Sequence, residues 1–261
     1  MVDDAFAESG RTGLRVCTLG SLIHNPIVVR ELEEAGASVV DSADELDSGI
    51  LVIRSHGAIA GVADGARARG IIVFDATCPH VAKAQMAASR LAAEGRFMVI
   101  LGEAGHPEVE AIRSYAGERA IVIQEPEELP EFDANERIGL VVQTTQSQER
   151  LTRVVAALEA SFDDVAVENT ICSATRLRQE AALSVAERAD AMIVIGGRNS
   201  GNTTRLREIC EGACERTYHI ESAAEIDPNW FAGCEVVGVT AGASTPQSHI
   251  DAVIAELEGS E

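Results

Sequence analysis

Two cysteines stand in loops where sulfur could serve as a ligand. Cys78 closes D-A-T-C-P and Cys172 lies in I-C-S-A-T, each just after an apolar run and just before a helical pattern. Each is followed 28 residues later by a polar residue in a similar loop, His106 in G-H-P-E-V and Ser200 in R-N-S-G-N. A further polar loop comes after each, Q-T-T-Q-S with Thr144 and Thr145, and T-A-G-A-S-T-P with Ser244. The first part of the chain has two such loops, L-I-H-N-P with His24 and R-S-H-G with His56, but no cysteine ahead of them. Counting back 28 from His24 passes beyond residue 1. The unit is therefore a cysteine loop and two polar loops, twice complete and once without its sulfur. Internal repeats suggest like modules around a shared centre. Three thiolates at one point suggest a cubane iron–sulfur cluster with one iron free for substrate.

The residues around such a centre suit an anion. Loops that lead into helix N-termini offer free backbone N–H groups to phosphate. His106 and Glu108 read as an acid/base pair if burial raises the carboxyl pKa. The competing reading makes Glu108 a dipole-compensating charge in a first helical turn opened by Pro107. Cys78 before Pro79 sits at a helix start, and the competing reading there is a buried core thiol. Cys17 falls inside a strand run, and Cys210 and Cys214 are four apart on one helix. Packing is the simpler account of all three. Cys234, His80, His219 and His249 match no repeated loop.

These loops need strands to end on and helices to open. Apolar runs predict strands at 15–18, 38–40, 50–53, 71–74, 97–101, 120–123, 138–142, 191–195, 217–220 and 236–240. Most are unbroken Val/Ile/Leu runs, the mark of parallel strands covered on both faces. Asn25 with Pro26, and Cys78 with Pro79, open helical patterns that Gly36 and Gly95 close. Further helices fit 147–161, 173–188, 201–213 and 246–258. Strand and helix alternate throughout, which predicts an α/β protein. Ligands of such sheets bind beyond the carboxyl ends of the strands, where the polar loops lie.

The 261 residues carry 42 acidic and 21 basic groups, a net charge of −21. That balance argues against nucleic acid as a partner. No apolar run approaches the roughly 18 residues of a membrane span, and the start has neither a basic nor an apolar leader segment. A cytoplasmic location is the default expectation.

In order and spacing, L-I-H-N-P, S-H-G, D-A-T-C-P, G-H-P-E-V, Q-T-T, I-C-S-A-T, R-N-S-G-N and T-A-G-A-S resemble the LytB family, the 4-hydroxy-3-methylbut-2-enyl diphosphate reductases. The resemblance spans about Val16 to Glu258. It implies three similar α/β modules with mostly parallel sheets in a pseudo-threefold trefoil around a central cleft. The divisions expected are 1–77, 78–171 and 172–245, with a closing helix at 246–261. It also implies a 4Fe–4S cluster, an allylic diphosphate substrate, and a ferredoxin or flavodoxin as electron donor. By the same resemblance, Cys78 and Cys172 are cluster ligands. His24, His56, His106, Ser200, Asn202 and Ser244 resemble the diphosphate-binding set, and Glu108 looks like the proton source, aided by Thr144 or Thr145. Two departures stand out. The family's G-F-C-x-G-V motif, bearing the first ligand, is not in this chain, so the cluster is expected to be absent or incomplete. Met1–Gly10 looks like the end of the helix after that motif, as in a chain begun late. Gly201 replaces the second serine of N-S-S-N, leaving its backbone N–H to serve the phosphate. A cluster-free, inactive diphosphate-binding scaffold is the alternative reading of the chain as written.

Overall fold

A computed structural model describes residues 1–259 other than His24 and Ala134. The chain forms two compact units, Met1–Ile23 with Ile27–Ile171, and His24–Pro26 with Cys172–Glu261.

The first unit holds two sheets. One has the strands β1 (Val16–Leu19), β2 (Ala37–Val40), β3 (Ile50–Ile53) and β4 (Ile72–Asp75), in the order β2-β1-β3-β4. The helices α1 (Val2–Thr12), α2 (Pro26–Glu34) and α3 (Val62–Ala68) belong to this part of the chain. Next come α4 (Pro79–Ala93), β5 (Phe97–Leu101), α5 (Pro107–Ala116), β6 (Ala120–Ile123), β7 (Ile138–Val142), α6 (Gln148–Ser161) and β8 (Val165–Glu168). Their sheet repeats the plan as β6-β5-β7-β8. The second unit holds α7 (Ser173–Ala186), β9 (Ala191–Ile195), α8 (Gly201–Ala213), β10 (Thr217–Ile220), β11 (Val237–Ala241) and α9 (Gln247–Glu258), with the sheet order β10-β9-β11. Every strand pair recorded is parallel.

The unbroken apolar runs have the cause the sequence suggests. Alternate residues of a strand face opposite sides, and here both sides are covered. In β5, Met98 and Ile100 pack with Leu91 and Ile112 under α4 and α5, whereas Val99 and Leu101 pack with Leu151 and Leu158 under α6. In the third sheet, Met192 and Val194 face α7 and α8, and Ile193 and Ile195 face Val253 of α9. The closing helix is thus part of the third sheet's cover.

Six of the ten expected strands match outright, the one at 38–40 begins a residue early, and those at 15–18, 71–74 and 236–240 begin and end one residue late. The sequence reading omitted β8 and α3. The segment Val-Ala-Val-Glu of β8 is a short, half-covered edge with weak patterning, and α3 is only 7 residues long with Gly65 inside it. The expectation of helix at Met1–Gly10 matches α1.

Candidate functional site

The same construction recurs at the carboxyl ends of the strands. In the two four-stranded sheets the chain leaves the two adjacent central strands toward opposite sides, so a crevice opens between their ends, and β9 and β11 hold the same places in the third sheet. Five residues past the first central strand stands a helix N-cap, His106 after β5 and Ser200 after β9. His24 holds that count after β1 but lies outside the described residues. Three residues past the second central strand stand His56, Thr145 and Ser244. Counting from strand ends therefore groups the predicted residues into two sets of three. A glycine opens the first loop in every module, Gly20, Gly102 and Gly196. A Cβ on Gly102 would stand 2.6 Å from Val109, and one on Gly196 would stand 2.6 Å from Thr203. The three-fold recurrence of Gly after a strand was a sequence signal that pattern reading passed over.

Glu108 is a strongly perturbed group. Its side chain is only 2% exposed. One carboxylate oxygen accepts from the Thr144 N–H at 2.6 Å and the other from the Thr144 hydroxyl at 3.0 Å. Burial pushes its pKa up to about 7, against these two bonds, which favour the charged form. Glu108 also stands in the first turn of α5 behind Pro107, where the competing reading puts it, but as a buried group and not a solvated surface charge. Of the two threonines named, Thr144 touches the acid; Thr145 is half-buried beside it. His106 Nδ1 accepts from the Glu108 N–H at 3.2 Å, which fixes the ring at the helix start. The His56 and His106 rings meet edge to face at 5.5 Å, so two sheets bring imidazoles together within the first unit.

In the second unit Ser200 caps α8 through the Thr203 N–H at 3.4 Å. Gly201 and Asn202 are buried in the first turn. The residue is only 6% exposed, and both ends of the Asn202 side chain are buried and make no hydrogen bond among the described residues. An amide so placed is costly unless a ligand completes it. The sequence reading missed Asn25 as more than a helix opener. It is 5% exposed, and its amide donates to the Ser244 carbonyl at 3.0 Å.

Cys78 and Cys172 are built alike. Each is a half-exposed N-cap, of α4 and α7, with nearly equal backbone angles. Three residues ahead of each, a short polar side chain makes the turn: Asp75 accepts from the Thr77 N–H at 3.0 Å and Asn169 from the Ile171 N–H at 3.1 Å. From each cysteine to the next strand is 19 residues, which accounts for the spacing of 28. Free loop thiols at helix starts fit the donor chemistry of an iron–sulfur cluster. Among the described residues the other four cysteines do not. Cys17, Cys210 and Cys214 are core residues. Burial raises the Cys17 thiol and pushes Cys210 up to about 11. Cys234 accepts from Arg216 at 3.0 Å, away from any repeated loop. The donor set present is two thiols.

The family described as LytB protein matches residues 1–258. The 4-hydroxy-3-methylbut-2-enyl diphosphate reductase of Pelobacter propionicus is 46% identical over 253 residues, which cover 97% of this chain and 90% of that protein. The enzyme of the same name from Geobacter sulfurreducens is 46% identical over 258 residues, covering 99% and 90%. A solved structure of (E)-4-hydroxy-3-methyl-but-2-enyl diphosphate reductase, the terminal enzyme of the non-mevalonate pathway, superposes with a TM-score of 0.70 at 40% identity, over 99% of this chain and 93% of that one. The fold is shared with the reductase structure from Plasmodium falciparum, TM-score 0.89 at 23% identity, over 97% and 82%.

Proposed function

The chain belongs to the LytB family, and from that premise we propose that it reduces 4-hydroxy-3-methylbut-2-enyl diphosphate to isopentenyl and dimethylallyl diphosphate. In this reaction the allylic hydroxyl leaves as water and a hydrogen takes its place, at a cost of two electrons and two protons. The observation that best supports the reading is Glu108: a buried carboxyl poised near 7 is suited to give a proton to a departing hydroxyl.

The other loops have the chemistry of diphosphate holders. His56, His106, Ser200 and Ser244 are side-chain donors at helix starts and strand ends. Asn202 offers an amide without a partner among the described residues, and Gly201 a backbone N–H. His24 is assigned to the same set by its motif. Hydrogen bonds to a charged phosphate are about twice as strong as neutral ones. Thr144 holds the Glu108 carboxylate once the proton has left, which keeps the acid in place for reprotonation. Cys78 and Cys172 would hold a 4Fe–4S cluster, which when bound supplies electrons and a Lewis-acid iron. Those electrons would come from a ferredoxin or flavodoxin. Among the described residues no helix is long and apolar enough to cross a membrane.

Replacing Glu108 tests the proposal. After anaerobic reconstitution with iron and sulfide, Glu108→Gln should turn over the substrate about 100-fold or more slowly, with substrate binding retained. Unchanged turnover would remove Glu108 from the reaction. The two-thiol donor set favours one second reading, a diphosphate-binding scaffold without a cluster. A reconstituted protein that stays colourless in visible light yet binds the substrate would support that reading instead.

A further inference from the structure

One position recurs in all three sheets with a different residue in each. Directly after the second central strand stand Arg54, Gln143 and Gly242. In the second sheet Gln143 leans on Gly102, and its side-chain oxygen accepts from the Glu103 N–H at 2.9 Å. In the first sheet Arg54 leans on Gly20 in the same way, and a Cβ on that glycine would collide with the guanidinium. A guanidinium has five N–H donors and no acceptor. Arg54 therefore cannot make the bond that Gln143 makes.

Nothing on the protein takes its place. Arg54 Nε is buried without a hydrogen-bond partner among the described residues. Burial lowers the pKa of the group, and no carboxylate beside it acts the other way. The chain has 42 acidic residues for 21 basic ones, so acids to pair with are plentiful. A half-buried guanidinium left in this state is costly unless an anion completes it.

Arg54 lines a cavity of about 460 Å³ within the first unit, at the carboxyl ends of β1, β2 and β3 and on the face that α3 covers. His56, His106, Glu108 and Cys78 are not among its lining residues. Its apolar wall is Leu19, Ala58, Ile59 and Val62. Ile59 is 56% exposed, a large apolar side chain left uncovered at the cavity. Arg69, the other cation of the lining, is already engaged. It donates to Asp44 at 2.6 Å and to the Ala43 carbonyl at 2.8 Å. That leaves Arg54 as the open cation, with Asp41 as the acid of the lining outside that pair.

We propose that this cavity binds a small monocarboxylic acid with an apolar body, its carboxylate on the Arg54 guanidinium and its body on Leu19, Ile59 and Val62. The planar fork of an arginine matches a carboxylate with two parallel hydrogen bonds. A single negative charge satisfies Arg54. A phosphate dianion would bring a second charge toward Asp41, which selects against it. The site belongs to the first sheet and is independent of the reaction proposed for the loops.

The test is a titration of the 261-residue chain with 4-methylpentanoate at constant ionic strength, followed by methyl NMR. The Ile59 and Val62 methyl signals should shift along one saturable curve, while those of Ile193 and Ile195 in the third sheet stay in place. Arg54→Met keeps the length of the side chain without its charge, and should weaken the acid about tenfold or more. Acetate, which lacks the apolar body, and inorganic phosphate should each be weaker than 4-methylpentanoate at the same two residues by about tenfold or more. Ile59→Asp places a like charge at the exposed rim and should weaken the acid to a similar degree; it decides the matter if the Arg54 variant does not fold. The proposal is overturned by the absence of a saturable shift at Ile59 and Val62, by unchanged affinity in the folded variants, or by phosphate binding there as tightly as the acid.

Discussion

Glu108 sits between opposed influences, and pH decides which is felt. Below about pH 4.5 the carboxyl is protonated in both folded and unfolded chains, and its raised pKa has no effect on stability. As pH climbs from there to about 7 the unfolded chain ionises first, so the folded state loses ground, by about 3 kcal/mol in all. Urea unfolding of the wild type and Glu108→Gln across this window should show that loss in the first and not in the second. Turnover should carry the same signature, falling as pH rises through about 7 because the proton donor empties. The sequence offered Glu108 in two roles and could not choose, since the choice rests on burial by residues far along the chain, Thr144 among them. Asn202 was legible from its motif. Asn25 was not, because its partner Ser244 is 219 residues away. The six thiols divide in the same way. Native-state alkylation should label Cys78, Cys172 and Cys234 and spare Cys17, Cys210 and Cys214, as mass spectrometry would show.

Between strand and loop, Thr170 is a small but costly joint. Its buried hydroxyl accepts from the Val142 N–H at 3.0 Å and donates to the Val142 carbonyl, binding the end of β7 to the loop of Cys172. Thr170→Val would leave both backbone groups buried without partners and should cost about 2 kcal/mol, while Thr170→Ser should retain most of that stability. Chemical denaturation of the two variants gives the comparison. The elements most legible in the sequence are those whose cause is local. Pro26, Pro79 and Pro107 open helices, and unbroken apolar runs become central strands. What stayed hidden depends on partners. β8 is a strand because β7 lies beside it, and the short turns made by Asp75 and Asn169 matter through the cysteines they aim.

Over the whole molecule the excess of acid is the dominant long-range force. A net charge of −21 repels itself most in the compact state, and salt screens it. The thermal midpoint should therefore rise between low and physiological ionic strength, by about 2–4 °C for each kcal/mol of repulsion relieved. A midpoint that falls with salt would mean that ion pairs such as Arg96–Asp164 outweigh the repulsion. The repeat was the global feature that the sequence disclosed best, because loops spaced alike along the chain hang from sheets built alike. The unequal strand count was invisible, since no single run of residues records which neighbour it lacks.

Each sheet is also drawn from one unbroken stretch of chain: strands between Val16 and Asp75, then Phe97 and Glu168, then Ala191 and Ala241. Among the described residues, no strand pairs with one made much later. During synthesis, when residues leave the ribosome at about 5–20 per second, the first sheet can close within seconds of its last strand's emergence, before the second is translated. Vectorial assembly of this sort keeps bare strand edges short-lived while the chain grows.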